Sequence, residues 1–149
     1  MKRRSAKLEK FVAIASTEER TLGEATGLSQ RRLQEEIDRL GELNAYRVDY
    51  ANKARDLGNI DAAQWKDYQH FLARLDEAVL TQQERIRACE QTVEAHRERW
   101  LAKRRRLESL ERVLDRYRRE EQAADERRDQ RLLDDLPKRR DPYAREVED

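Results

Sequence analysis

The chain has 149 residues, a charged fraction of 44% against a hydrophobic fraction of 37%, and a formal net charge of +1. That length admits one ordinary domain, but Leu, Ile, Val and Phe together supply only 29 residues, too few for a layered globular core. A near-neutral balance argues against a dedicated nucleic-acid binder, and the single Cys89 excludes an intrachain disulfide framework.

The N-terminus begins basic but is apolar only from Phe11 to Ala15, too short for the core of a signal peptide. No apolar stretch approaches the roughly 20 residues that span a bilayer. A soluble, cytoplasmic protein is the expectation. Both prolines, Pro137 and Pro142, lie near the C-terminus, so the strongest helix breaker is missing from everything before them.

The first predicted helix runs over about residues 5–55. Its apolar stripe is loose: Leu8, Phe11 or Val12, Ala15, Leu22, Ala25, Ser29, Leu33, Ile37, Leu40, Leu43, Tyr46, Tyr50. Gly23, Gly27 and Gly41 lie inside it, each costing about 1 kcal/mol relative to Ala. Gly23, Thr26 and Gly27 mark the expected point of bending or fraying.

A helix-to-helix turn follows at about 56–61, where Gly58 and Asn59 admit left-handed backbone geometry. Asp61 with Gln64 three residues on reads as a variant capping box that opens the second helix.

The second helix is predicted over about 62–135 and carries the clearest signal in the chain. Steps of three and four residues give Trp65, Tyr68, Leu72, Leu75, Val79, Gln82, Ile86, Cys89, Val93, His96, Trp100, Lys103, Leu107, Leu110, Leu114 and Tyr117. Such spacing over about seven heptads lays a narrow stripe against another helix. The polar members Gln82, His96 and Lys103 read as weak points of that seam.

A short turn between long helices makes them antiparallel neighbours. The predicted fold is therefore all-α, a long antiparallel two-helix coiled-coil hairpin with the second helix longer than the first. Residues 1–136 form the hairpin and 137–149 a disordered tail. Pairing outward from the turn places Tyr46 near Leu72, Leu40 near Val79 and Phe11 near Leu107. From about Val113 the second helix then overhangs the first as an almost wholly polar stretch, which must fray or find a partner. The hairpin satisfies its own seam, so a monomer is expected.

No residue constellation suits catalysis. His70 and His96 lack a Cys or His at zinc-ligand spacing, and the four glycines form no phosphate-cradling loop. Neither metal nor cofactor is expected, and the chain does not read as an enzyme. Arg97, Arg99, Lys103, Arg104, Arg105 and Arg106 surround Trp100. That cluster is either an electropositive collar for an acidic partner or a solvated face partly neutralised by neighbouring glutamates. The second reading is favoured because Trp100 belongs to the seam.

Near the turn, Tyr46 and Tyr50 on the first helix should face Tyr68, Phe71 and Leu75 on the second, within an apolar strip of Leu43, Tyr46, Tyr50, Phe71, Leu75 and Ala78. Phe71 precedes a seam position and so flanks the groove. Periodicity alone favours ordinary core for this strip, with a docking patch as the alternative.

The segments LGELNAYRVDY, LGNIDAAQW, DYQHFLARLDEAV and VEAHRERWLAKRRRLESLE, in that order, resemble the FliJ family of flagellar export proteins over roughly residues 5–135. The resemblance implies a cytoplasmic component of the flagellar type III export apparatus, similar to the central stalk of rotary ATP synthases. Its implied partners are the hexameric export ATPase FliI, the export-gate subunit FlhA and export chaperones, with no nucleic acid and with membrane association only through partners. The implied gate-binding positions are Leu43, Tyr46, Tyr50, Phe71, Leu75 and Ala78, which shifts the strip from core towards a partly exposed docking surface. Flanking positions of that surface fall at Arg39 and Gln82, which depart from the family's residues. Two rival readings are the equivalent stalk of a virulence secretion system and a generic coiled-coil tether.

Overall fold

A computed structural model describes residues 3–137. The expected disordered tail, 137–149, lies outside the described residues apart from Pro137. The fold is an antiparallel two-helix coiled-coil hairpin. Helix α1 spans Arg4–Asp56 (53 residues) and α2 spans Ala62–Asp135 (74 residues), and no strand occurs among the described residues. None of the described helices is long and apolar enough to cross a membrane.

The turn is built by local chemistry. Gly58 adopts φ +64°, a conformation open to glycine without a steric cost. The capping box forms: the Gln64 amide donates to the Asp61 carboxylate at 2.8 Å, and the Asp61 amide donates to the Gln64 side-chain oxygen at 3.2 Å. Two N–H groups that the first turn of α2 leaves without intrahelical partners are thereby satisfied. Lys53 and Arg55 sit in the last turn of α1, where positive charge suits the helix C-terminus.

Close contacts group the described residues into a terminal unit, up to Ala13 together with Glu108 onward, and a turn-proximal unit, Ile14–Leu107. In the turn-proximal unit Ala15, Leu75, Val79 and Leu107 are buried; in the terminal unit Leu114 is. Every member of the α2 stripe is buried or half-buried except Trp65, which is 52% exposed. Trp65 stands in the first turn after the loop, so its heptad position has little facing helix to cover it.

The stripe of α1 is stricter than its apolar residues suggest. Ser5, Leu8, Val12, Ala15, Glu19, Leu22, Thr26, Ser29, Leu33, Glu36, Leu40, Leu43, Arg47 and Tyr50 follow an unbroken three-four spacing, and all but Arg47 are buried or half-buried. Val12 takes the place left open between it and Phe11. Ile37 and Tyr46, counted into the stripe by their hydrophobicity, fall one position off it and are exposed.

Most polar members of the stripe are bonded. Gln82, only 5% exposed, donates to both the backbone carbonyl and the carboxylate of Glu36. The Trp100 indole donates to the Glu19 carboxylate at 2.8 Å, and Arg47 pairs with Asp76 at 2.9 Å. Lys103 pairs with Glu18. The Thr26 hydroxyl donates to the Leu22 carbonyl and that of Ser29 to the Thr26 carbonyl, both at 2.8 Å. Gln82 and Lys103 are therefore cross-helix links and not weak points. His96 alone retains that character, with a buried Nδ1 that finds no hydrogen-bond partner.

The expected fraying and the expected overhang are both corrected. Helix α1 continues through Gly23, Thr26 and Gly27 without fraying. A Cβ at Gly23 would lie 3.1 Å from the Trp100 indole nitrogen, so this glycine is where α1 makes room for the Trp100 ring. In the terminal unit pairing reaches much farther along α2 than Val113: Glu9 meets Arg118, Ser5 meets Glu121 and Arg3 meets Asp125. Near the turn the residue-for-residue count holds, as for Tyr46 with Phe71 and Glu36 with Gln82, and it falls behind only farther along the helices.

Candidate docking surface

The candidate surface is assembled in the turn-proximal unit from both helices. Tyr46 and Phe71 meet edge-on with ring centroids 6.1 Å apart, and Tyr50 lies 4.4 Å from Phe71. Tyr50 also stacks on Tyr68 at 5.2 Å with nearly parallel rings. Stacked and edge-on pairs of this kind contribute about 0.5–1.5 kcal/mol each beyond the area they bury. The rings therefore help to hold the two helices together while keeping one side towards solvent.

The six sequence-derived positions differ in exposure. Tyr46 is 53% exposed, whereas Leu43, Tyr50, Phe71 and Ala78 are half-buried. Leu75 is 7% exposed and belongs to the core, offering little area of its own. Tyr46 and Phe71 are accessible for the same reason: each lies one position away from a seam residue, Arg47 and Leu72 respectively. Gln82 faces inward to Glu36, and Arg39 pairs with the same carboxylate at 2.9 Å.

Apolar residues beyond the six extend this region. Leu57 and Trp65 are both more than half exposed, and Trp65 lies 5.6 Å from Tyr68, ring centre to ring centre. Leu57 carries no periodic signal, which is why helical spacing does not select it. Its signal is hydrophobicity off the stripe.

Elsewhere the charged residues serve structure. Among the basic cluster, Lys103 is engaged with Glu18, and Arg104 stands 5.7 Å from the centre of the Trp100 ring. Trp100 itself is half-buried with its N–H on Glu19, so no free aromatic platform for base stacking results. Among the described residues no three His, Cys, Asp or Glu side chains gather as a metal-binding group.

In the terminal unit, α1 has no acidic residue in its first turn. Glu121 of α2 supplies one. It accepts the Ser5 backbone amide at 3.1 Å and the Ser5 hydroxyl, capping a helix N-terminus from the opposite strand of the hairpin. Donation by the Ser5 hydroxyl, then by its amide, holds the Glu121 carboxyl below the ordinary glutamate value, with Arg3 assisting and partial burial and Asp125 opposing. Arg118 is shifted further up by its bond to Glu9.

Comparison with known proteins adds two findings. The family profile described as "Flagellar FliJ protein" matches residues 4–141. A Salmonella typhi protein named "Flagellar FliJ protein" is 27% identical over 134 residues, covering 89% of this chain and 91% of that one.

Proposed function

The chain belongs to the flagellar FliJ family, and from that premise we propose that it is a non-enzymatic, cytoplasmic stalk of the flagellar type III protein export apparatus. The observation that carries this reading is the family match across 4–141, which takes in both helices and the turn. A two-helix hairpin suits the role because its work is contact and positioning, for which it offers two separate units.

The turn-proximal surface of Leu43, Tyr46, Tyr50, Phe71 and Ala78, with Leu75 buried in the core, is the surface for the export gate FlhA. Its exposed aromatic rings are the kind of residue that dominates protein interfaces. The terminal unit is the part that engages the hexameric ATPase FliI. Exposed Phe11, Leu132, Leu133 and Leu136, set among charged side chains, offer it contact area. A stalk inside a ring biases the ring's subunits only through contacts that differ between their conformations. Export chaperones are delivered through the same assembly, and the free chain is a monomer.

Titration calorimetry with the gate's cytoplasmic domain tests the reading. Tyr46→Ala combined with Phe71→Ala should weaken gate binding at least tenfold and leave helicity and ATPase binding intact. A global loss of helicity would return these residues to the core, and failure of the unsubstituted chain to bind either partner would sink the proposal.

A further inference from the structure

The aromatic contacts do not stop at the six positions. They run as a continuous ladder, Tyr46 to Phe71 to Tyr50 to Tyr68 to Trp65, with centroid separations of 6.1, 4.4, 5.2 and 5.6 Å. At its far end, against the turn, lies a cavity of about 390 Å³. Tyr50, Ala54, Leu57, Ile60 and Tyr68 line it, together with the polar Lys53, Asn59 and Gln64. A volume above roughly 300 Å³ with a mainly apolar lining and a few polar groups is typical of a built binding pocket.

Three observations favour an occupant from outside the chain. Leu57, on the cavity wall, is 68% exposed, and Trp65, on the ladder beside it, is 52% exposed. The turn is closed by its own capping bonds without using either side chain. Lys53 carries no ion pair among the described residues, so the cavity edge offers a positive charge. Clustered exposed apolar side chains rimmed by polar groups mark interaction sites.

We propose that this turn-end cavity is an anchor pocket for the protein that docks on the aromatic surface, receiving one large apolar side chain of that partner with a carboxylate beside it at Lys53. The inference rests on the gate-binding reading and deepens it. Continuity through Tyr50 and Tyr68, which belong to both the surface and the cavity, assigns the two to one partner. A flat aromatic patch alone gives area. The pocket adds the buried anchor around which interface energy concentrates.

The full-length chain and the gate's cytoplasmic domain provide the test, by titration calorimetry. Ala54→Leu fills the cavity from a good helix former, and Lys53→Glu reverses the charge at its edge. Each should weaken binding about tenfold or more with unchanged helicity, while Lys53→Arg should bind as the unsubstituted chain does. Binding within twofold for both Ala54→Leu and Lys53→Glu, alongside loss in the Tyr46→Ala, Phe71→Ala variant, would overturn the pocket and leave the gate-binding reading standing. No binding by the unsubstituted chain would overturn both. A concentration-dependent dimer in sedimentation that Ala54→Leu abolishes would assign the cavity to a second copy and overturn the inference equally.

Discussion

Three glycines inside α1 should respond differently to the same substitution. Replacing Gly by Ala within a helix gains about 0.8–1.0 kcal/mol of backbone propensity. At Gly27 and Gly41 the added methyl meets nothing within 4 Å, so the gain should be realised in full. At Gly23 the same methyl would lie 3.1 Å from the Trp100 indole nitrogen and 3.6 Å from two further ring atoms. The ring must withdraw by a few tenths of an ångström, and it is not free to do so, because that nitrogen donates to Glu19 at 2.8 Å. A hydrogen bond to a charged acceptor is worth about 1.5–3 kcal/mol. Its loss turns the propensity gain into a net destabilisation of about 0.5–2 kcal/mol. Urea unfolding followed by helical circular dichroism at 222 nm reads the difference. With a slope of about 1–3 kcal/mol per molar urea, the midpoint of Gly23→Ala should fall clearly below that of the unsubstituted chain while Gly27→Ala and Gly41→Ala rise above it. Adding Trp100→Phe removes the nitrogen, and on that background the Gly23→Ala penalty should shrink, the coupling that a double-mutant cycle isolates. If Gly23→Ala stabilises as much as Gly27→Ala, the packing of Trp100 against Gly23 does not restrain the hairpin.

The buried Gln82 link should be as sensitive: Gln82→Ala removes both cross-helix bonds to Glu36 and should cost about 1–3 kcal/mol in the same urea assay, and an unchanged midpoint would show the link to be idle. The Glu121 cap should be sensitive to acid. Its carboxyl titrates lower in the folded chain than in the unfolded one, so its contribution is complete above the ordinary glutamate value of about 4.3 and is lost as pH falls through the depressed one. The Ser5 amide resonance should therefore titrate with a midpoint below that value and cease to do so in Glu121→Gln; a midpoint at or above it would refute the cap. At the docking surface, Leu75→Ala should lower stability by about 2–5 kcal/mol as a core deletion, whereas Tyr46→Ala, at a half-exposed position, should affect partner binding far more than the urea midpoint.

The hairpin, the turn and the capping box were legible because each rests on local residue identity: Gly58 for a left-handed φ, Asp61 with Gln64 for the cap, large apolar residues at every first position of the α2 repeat. The α1 stripe was legible only in part. Hydrophobicity selected Ile37 and Tyr46 and left Phe11 or Val12 open, whereas spacing selects Val12, Glu36 and Arg47. Spacing describes the packing, because a helix presents a face by geometry and a polar residue on that face stays there if it finds a bond. Glu19, Glu36 and Arg47 each find one across the hairpin, to Trp100, Gln82 and Asp76. Such partners are invisible until the second helix is in place. The turn-end cavity was hidden for the same reason, since its walls come from both helices and the loop.

Polar seam positions have a consequence for the candidate surface. An all-apolar stripe tolerates sliding by a heptad, because one Leu replaces another with little change. Polar residues at seam positions select a single register at some cost in stability. Here Gln82–Glu36 and Arg47–Asp76 lie beside the region that carries Leu43, Tyr46, Tyr50, Phe71 and Ala78. A slip of seven residues would carry Phe71 about 10 Å along the helix axis, at about 1.5 Å per residue, and dissolve its contacts with both Tyr46 and Tyr50. The surface exists only in the register that these polar pairs select. The same links that lower the apolar content of the seam are thus what places residues of two helices, separated by a turn, side by side for a partner.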